Sequence, residues 1–379
     1  MITKIKDLGT VITGNTPKTS DSENYASFDI PFVKPSDLNE DEITQIDFTE
    51  FYISEYARDK ARVVPPNSVF MTCIGIIGKV GINQRECAFN QQINVVVPDE
   101  NKCLPEYLAY ALINMKSILQ ATANAPVVPI LNKSQFGDIE IDIPNLEVQE
   151  EIVSMLRKID CVINNRNLQL SKLDELVKSR FIELFGNIDE CQNKLEMQDI
   201  CVKITDGSHN PPAGVEKSEN YMISSQNIHD NIIDYKDVRY LNDSDFETEN
   251  KRTAITPGDV LLTIVGAIGR SAVVKDDLNI TCQRSVCVIH PNRDKVNSIF
   301  LKYMLDSISD KIVNEARGVA QKGIYLKQVK KLQIICPSFD LQTRFATFVE
   351  QTDKLKLEVK ESLEKLETLK KSLMQKYFG

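Results

Sequence analysis

Val69-Phe-Met-Thr-Cys-Ile-Gly-Ile-Ile-Gly-Lys79 recurs 191 residues later as Val260-Leu-Leu-Thr-Ile-Val-Gly-Ala-Ile-Gly-Arg270, with Pro66 matching Pro257 and Gln92 matching Gln283 at the same offset. Beyond Gln92 the offset is 193: Leu108, Tyr110 and Leu112 match Leu301, Tyr303 and Leu305, Gln135 matches Gln328, Pro144 matches Pro337, Gln149 matches Gln342, and Phe185-Gly186 matches Phe378-Gly379. One two-residue insertion explains the change of offset. Matches that hold register over so long a stretch mark an internal duplication, and the chain is read as one unit written twice.

Each copy has two parts. In the first, the apolar runs Ser68–Ile77, Ile93–Val97, Ile139–Ile143, Val260–Val265, Val286–Ile289 and Leu332–Ile335 read as strands bounded by Pro, Gly, Asn and Asp turns. Pro105–Leu119 and Val296–Val313 read as helices, because their apolar residues recur every three or four positions. In the second part Leu355, Val359, Ser362, Leu366, Leu369 and Leu373 alternate spacings of four and three, the seam of a coiled coil. Ile152, Met155, Ile159, Val162 or Ile163, Arg166, Leu170, Leu173, Val177 and Leu184 follow the same rule in the first copy. Each helix covers about 35 to 40 residues, roughly 55–60 Å, too long for one domain's interior; two matched helices pack more economically on each other than singly on their own domains. The expected fold is therefore α+β: two similar mixed α/β domains, 1–145 and 187–338, separated by two long antiparallel coiled-coil helices, 146–186 and 339–379, with pseudo-twofold symmetry.

The composition suits this division. A chain of 379 residues, 42% hydrophobic and 26% charged, has apolar material for more than one core. There is no basic leader with an apolar run behind it and no stretch of roughly 18 apolar residues, so the chain is expected to be soluble and cytoplasmic, without a membrane partner. Its nine cysteines never form a CxxC pair and are odd in number, which fits reduced, mostly buried thiols. The net charge of −9 argues against a nucleic-acid partner. It is unevenly spread: residues 1–145 hold 12 Lys and Arg against 19 Asp and Glu, while 187–338 hold 19 against 21. Binding depends on the charge of one face, so the objection is not decisive.

Over essentially its whole length the chain resembles the specificity subunits of type I restriction-modification systems. The segments that carry the likeness are Leu131–Ile143 with Pro144, Gln149 and Ile152, repeated as Ile324–Ile335 with Pro337 and Gln342, which look like the family's junction between recognition domain and helix. Ile204-Thr-Asp-Gly-Ser-His-Asn-Pro-Pro212 and Ile223-Ser-Ser-Gln-Asn-Ile228 resemble the family's entry loop and following segment; Ile12-Thr-Gly-Asn-Thr-Pro17 and Phe32-Val-Lys-Pro-Ser-Asp-Leu38 are their counterparts. Where the family commonly has a second junction proline, Asn145 and Ser338 stand here. The resemblance implies a reader of double-stranded DNA with two target-recognition domains, each recognising one part of a bipartite site. It also implies partners that hold the chemistry: two copies of an adenine-methylating subunit docked on the helices, and a restriction subunit. No catalytic residue, cofactor or metal is expected. Half-site centres are expected about one helical turn, roughly 10 bp, apart.

Reading base edges needs amides, Arg or Lys on loops held rigidly in a groove. In the first copy the candidates are Thr13, Asn15, Lys18, Lys34, Ser36, Lys79, Asn90, Gln91, Gln92, Asn132 and Lys133; in the second they are Ser208, His209, Asn210, Ser225, Gln226, Asn227, Arg270, Gln283, Arg284, Lys322 and Lys327. The loops Gly75–Lys79 and Gly266–Arg270 set a cation just behind glycines, and read equally well as tight turns with a solvated cation. Gln92 and Gln283 read either as base readers or as buried amides serving the backbone. On the helices, Ile152, Ile159, Leu173, Val177, Leu355, Val359, Leu366 and Leu373 are the expected partner-binding positions.

Three other functions fit less well. Asn210-Pro211-Pro212 matches the core of an adenine methyltransferase, but Ala213 follows where an aromatic would stack on a flipped base, no Gly-rich cofactor loop precedes it, and the first copy has no equivalent. His209 and His229 lie near Asp206 and Asp230, yet three histidines without ligand spacing, none repeated between copies, do not build a closed coordination sphere. The third is a coiled-coil scaffold that binds protein without DNA specificity. It would keep its binding loops alike, whereas 21–50 and 215–249 differ.

Overall fold

The computed structural model describes residues 1–122, 129–188, 190–229, 231–317 and 323–379. The chain forms two compact units, Met1–Asn167 with Lys360–Gly379, and Leu168–Val359.

In the first unit a five-stranded sheet runs in the order Gly9–Thr13, Ile93–Pro98, Val69–Thr72, Val80–Asn83, Thr44–Ile46, antiparallel except for the last pair. A second sheet sets Ile30–Val33 parallel to Cys87–Phe89, with Tyr52–Ile53 and Val63–Val64 at its edges. Val69–Thr72 and Val80–Asn83 are buried throughout, as expected of strands covered on both faces. The strand expected over Ser68–Ile77 stops at Thr72, because Gly75 and Gly78 take positive φ (79° and 92°) and turn the chain into a hairpin. Helix Pro105–Asn114 packs its buried Tyr107, Leu108 and Leu112 on this sheet; it ends at Met115, and the expected longer helix is two pieces.

The second unit repeats the plan with four strands, Cys201–Asp206, Val286–Pro291, Val260–Thr263 and Ser271–Val273, and a second sheet in which Asn220–Ile223 lies parallel to Asn279–Cys282. Ladder registers give the correspondence between copies. Val69 faces Val96 as Val260 faces Ile289, and Val33 faces Phe89 as Ile223 faces Cys282. The offset is thus already 193 at Phe89, and the insertion falls in the turn between Asn83 and Cys87, against Val274 to Ile280. Gln283 is therefore the counterpart of Asn90 and Ser285 that of Gln92; the Gln92–Gln283 match at the earlier offset is coincidental. The polar helix Asp243–Thr253 gave no periodic signal, and rests on an Asn242 side chain that accepts from Asp245 N at 2.8 Å.

Each copy continues into a 40-residue helix, Leu146–Phe185 and Phe339–Phe378. Asn145 caps the first by accepting from Val148 N at 3.0 Å, a use for the residue that replaces a junction proline. The junction glutamines are fully buried and bonded alike. Gln149 accepts from Leu104 N and donates to the carbonyls of Lys102 and Pro144, while Gln342 accepts from Asn297 N and donates to Lys295 and Pro337. The helices run antiparallel: within the first unit Lys370 pairs with Asp160, and within the second Lys356 pairs with Asp174, both at 2.6 Å.

The seam corrects the expected phase. In the C-terminal helix Leu355 and Leu369 face outward, and Lys356, Leu363 and Lys370 take the inner positions beside Val359, Leu366 and Leu373. In the central helix Leu156, not Met155, is buried. At the helix ends the seam merges with the cores. Val177, Phe181 and Phe185 join Phe300, Phe345 and Val349 in one unit; Ile152, Val153 and Leu156 join Tyr107 and Met374 in the other. Tyr107 meets Phe378 at 5.1 Å as Phe300 meets Phe185 at 4.9 Å, each pair contributing about 0.5–1.5 kcal/mol beyond area burial.

Candidate nucleic-acid interface

In the first unit the strands Gly9–Thr13, Val69–Thr72, Ile30–Val33 and Cys87–Phe89 all end at the edge where Ile93–Pro98 begins, so their loops collect there. Backbone bonds tie the loops together. Gly14 N donates to Ile93 O, Asn15 N to Phe89 O, Asn90 N to Val33 O, Cys73 N to Gln92 O and Leu131 N to Cys73 O, at 2.8–3.2 Å. Thr13, Asn15, Lys34, Ser36, Lys79, the Asn90–Gln92 run and Asn132 are thereby gathered at one end of the unit. The second unit has the same frame: Ser208 N to Cys282 O, Arg284 N to Ser208 O, Gln283 N to Ile223 O and Ile324 N to Ile264 O, all at 2.8–2.9 Å, gathering Ser208–Asn210, Ser225–Asn227, Gln283 and Arg284.

Side-chain bonds sort the candidates. Thr13 donates to Asn94 Oδ1 at 2.6 Å, and Asn90, itself buried, bonds Gln92 through both ends of its amide. Asn132 caps a short helix from Lys133, in mutual hydrogen bonds with Gln135. Asn227 is buried, accepts from Ser224 and donates to the carbonyls of Asp234 and Asp237, leaving its amide nothing for a base. Lys34 lies over the Phe51 ring, and half-buried Lys79 reaches Pro35 O at 3.4 Å. Lys18, Ser36, Gln91, Lys133, His209, Asn210, Gln226, Arg270, Arg284 and Lys327 are exposed. Lys322 lies outside the described residues, as does Asp230.

His209 is held from behind: its Nε2 lies 2.9 Å from Asp206 Oδ2, and Arg252 bonds both the Asp206 carboxylate and its carbonyl. His229 lies 3.5 Å from Asp234. Arg252 was absent from the expected site because it comes from the unforeseen helix Asp243–Thr253. Of the expected partner-binding positions Ile152, Ile159, Val177 and Val359 are buried in the seam or core, Leu173, Leu366 and Leu373 are half-buried, and Leu355 is exposed. The buried ones cannot meet a partner while the helices are paired. Among the described residues no helix is long and apolar enough to cross a membrane.

Two copies of one loop frame, carrying different side chains, agree with a comparison to known families: the model described as the type I restriction modification DNA specificity domain matches residues 1–173 and again 214–370. The chain belongs to that family. Relatives include the specificity subunit of the type I restriction enzyme EcoBI of Escherichia coli, 24% identical over 337 residues, which are 78% of this chain and 68% of that one. The MjaIX specificity subunit of Methanocaldococcus jannaschii is 31% identical over 190 residues, 49% of this chain and 43% of that one, so the chain spans less than half of that relative's length. The fold is that of the type I restriction-modification system S subunit from M. genitalium, with a TM-score of 0.62 at 13% identity, covering all of this chain and 96% of the other. Within this specificity family fold, the fully buried Thr72 and Thr263, which pin the two glycine loops, were not picked out by sequence reasoning, although both stand in the repeated segment.

Proposed function

We propose that this chain is the DNA-reading subunit of a type I restriction-modification complex, and that the loop end of each unit reads one half of a bipartite site on double-stranded DNA. The carrying observation is the shared loop frame with divergent exposed groups: Gln91 and Lys133 in the first unit, His209, Asn210, Gln226, Arg270 and Arg284 in the second. Such a pair of surfaces suits two different base sequences better than one repeated ligand. In this reading residues 1–145 and 187–338 are the recognition domains, and 146–186 and 339–379 are the helices that set the separation of the half-sites.

The helices also offer a docking face. Val148, Met155, Val162 and Leu176 are exposed on positions a multiple of seven apart, and Leu355 and Leu369 are their exposed counterparts in the second helix. Apolar stripes left outside a closed seam suit association with another helix. Two copies of the methylating subunit are proposed to occupy them, a restriction subunit to join the assembly, and all chemistry to reside in these partners in the cytoplasm. The test is to sequence methylated adenines in cells expressing this chain with its methylating partner. One split motif is expected; methylation without one overturns the reading.

A further inference from the structure

The two glycine loops are built identically and tipped differently. Thr72 Oγ1 donates to Ile76 O at 2.6 Å and accepts from Lys79 N at 3.0 Å; Thr263 Oγ1 donates to Ala267 O at 2.5 Å and accepts from Arg270 N at 2.9 Å. Both threonines are fully buried, and the flanking glycines take matching φ values, 79° and 92° in the first loop, 82° and 88° in the second. The tip residue therefore rides on a rigid platform in each copy. Beside it, the bridge between Ile74 and Ile130 is matched by that between Val265 and Gly323.

The first platform carries Ile76, 52% exposed, and the preceding Ile74 bridges Ile130, 49% exposed, while Gly75 N donates to Pro129 O at 3.1 Å. At the equivalent places the second carries Ala267 and Gly323, and a Cβ at Gly323 would come within 3.2 Å of Val265 Cγ2. Two bare isoleucines thus stand on one set of loops among otherwise polar candidates, and their counterparts are stripped of aliphatic bulk. The apolar group that base edges present in the major groove is the thymine 5-methyl.

Resting on the DNA-reading function above, we propose that Ile76 and Ile130 form an apolar contact for the methyl group of a thymine in the first unit's half of the site, and that the second unit makes no such contact. The experiment uses the chain assembled with its methylating subunit and duplexes carrying the motif found by adenine-methylation sequencing. Each thymine is replaced in turn by deoxyuridine, which removes only the methyl.

At one position in the first half the exchange is expected to weaken binding about four-fold, the worth of one buried methyl. Ile76→Ala should bind the thymine duplex more weakly by about as much and no longer sense the uracil, whereas Ile76→Val should still sense it. Unchanged thermal melting of each variant establishes that the fold is intact. The proposal is overturned by a first half without thymine, by uracil penalties confined to the second half or absent, or by an Ile76→Ala complex that keeps its penalty. Weakened binding by Ile76→Ala with no uracil penalty also overturns it, and would mark a wedge between base pairs. Failure to find any split motif would instead overturn the DNA-reading function itself.

Discussion

Replacing Arg270 by Gln should flatten the salt dependence of DNA binding, and replacing Lys79 by Gln should do so much less. Both cations follow the same glycine loop. Arg270 is exposed, and among the described residues no side-chain bond or ion pair holds it, whereas Lys79 is half-buried with its ammonium directed to Pro35 O at 3.4 Å. Residues 187–338 also carry only two more acidic than basic side chains, against seven more in 1–145, so a phosphate meets less repulsion at the second loop. One phosphate contact contributes about 0.9 to the slope of log affinity against log salt, so between about 50 and 200 mM it is worth about three- to four-fold in affinity. Arg270→Gln is expected to lose about that whole increment, and Lys79→Gln less than about half of it. Titrating the assembled complex against a duplex with its site at four salt concentrations gives both slopes. Equal slopes for the two variants would refute the reasoning from burial and local charge.

Replacing the junction glutamines tests the fold. Gln149→Leu and Gln342→Leu each remove three hydrogen bonds to backbone groups, so each should cost about 3 kcal/mol, at about 1 kcal/mol per lost bond, and the two losses should agree within about 1 kcal/mol in denaturant unfolding. A loss under about 1 kcal/mol for either would show that water takes over those groups. Burial pushes the thiols of Cys73 and Cys87 up to about 12, and Cys282 and Cys287 are fully buried, whereas Cys161 is exposed. A thiol reagent at neutral pH should therefore label Cys161 first in the native chain and those four only after unfolding, as read by peptide mass. Thr263→Val should remove the hydroxyl's bonds to Ala267 O, Arg270 O and Arg270 N that hold the Ala267–Arg270 turn, weakening DNA binding more than it lowers the melting temperature; an unchanged affinity would show that the glycines alone fix the loop.

The sequence was most legible where burial imposes a period. Val260–Thr263 and Ile93–Pro98 lie within about two residues of their expected bounds because apolar runs between Pro and Gly turns have few alternatives, whereas Val69–Thr72 stops short of its expected end at the glycine turn. The coiled-coil phase was harder to read. Leu355 and Leu369 satisfy the same seven-residue spacing as Lys356 and Lys370, and periodicity does not say which stripe meets the other helix. The structure seats the lysines inward, where Asp174 and Asp160 pair with them at 2.6 Å. Helix Asp243–Thr253 was illegible for the opposite reason: it is polar nearly all round, and its place depends on the cap at Asn242 and the bond from Arg252 to Asp206.

The repeat also reverses an intuition about which residues read DNA. Residues shared by the two copies invite a functional reading, yet Thr72 with Thr263, Gln149 with Gln342 and Gly75 with Gly266 all prove to hold backbone: a buried hydroxyl bridging a turn, a buried amide stitching a helix start, a positive φ. Gln92 and Gln283, matched by identity, occupy different places in the frame. On the proposed function, two halves that read different base sequences must differ where they touch bases and agree where they support the loops. The positions to mutate for specificity are then the unlike pairs on the common frame, Ile76 against Ala267, Lys79 against Arg270 and Asn90 against Gln283. Within this set Asn90 is buried and bonded to Gln92, whereas Arg270 is exposed and has no side-chain partner among the described residues, so the first half should depend more on apolar contact and the second more on a guanidinium.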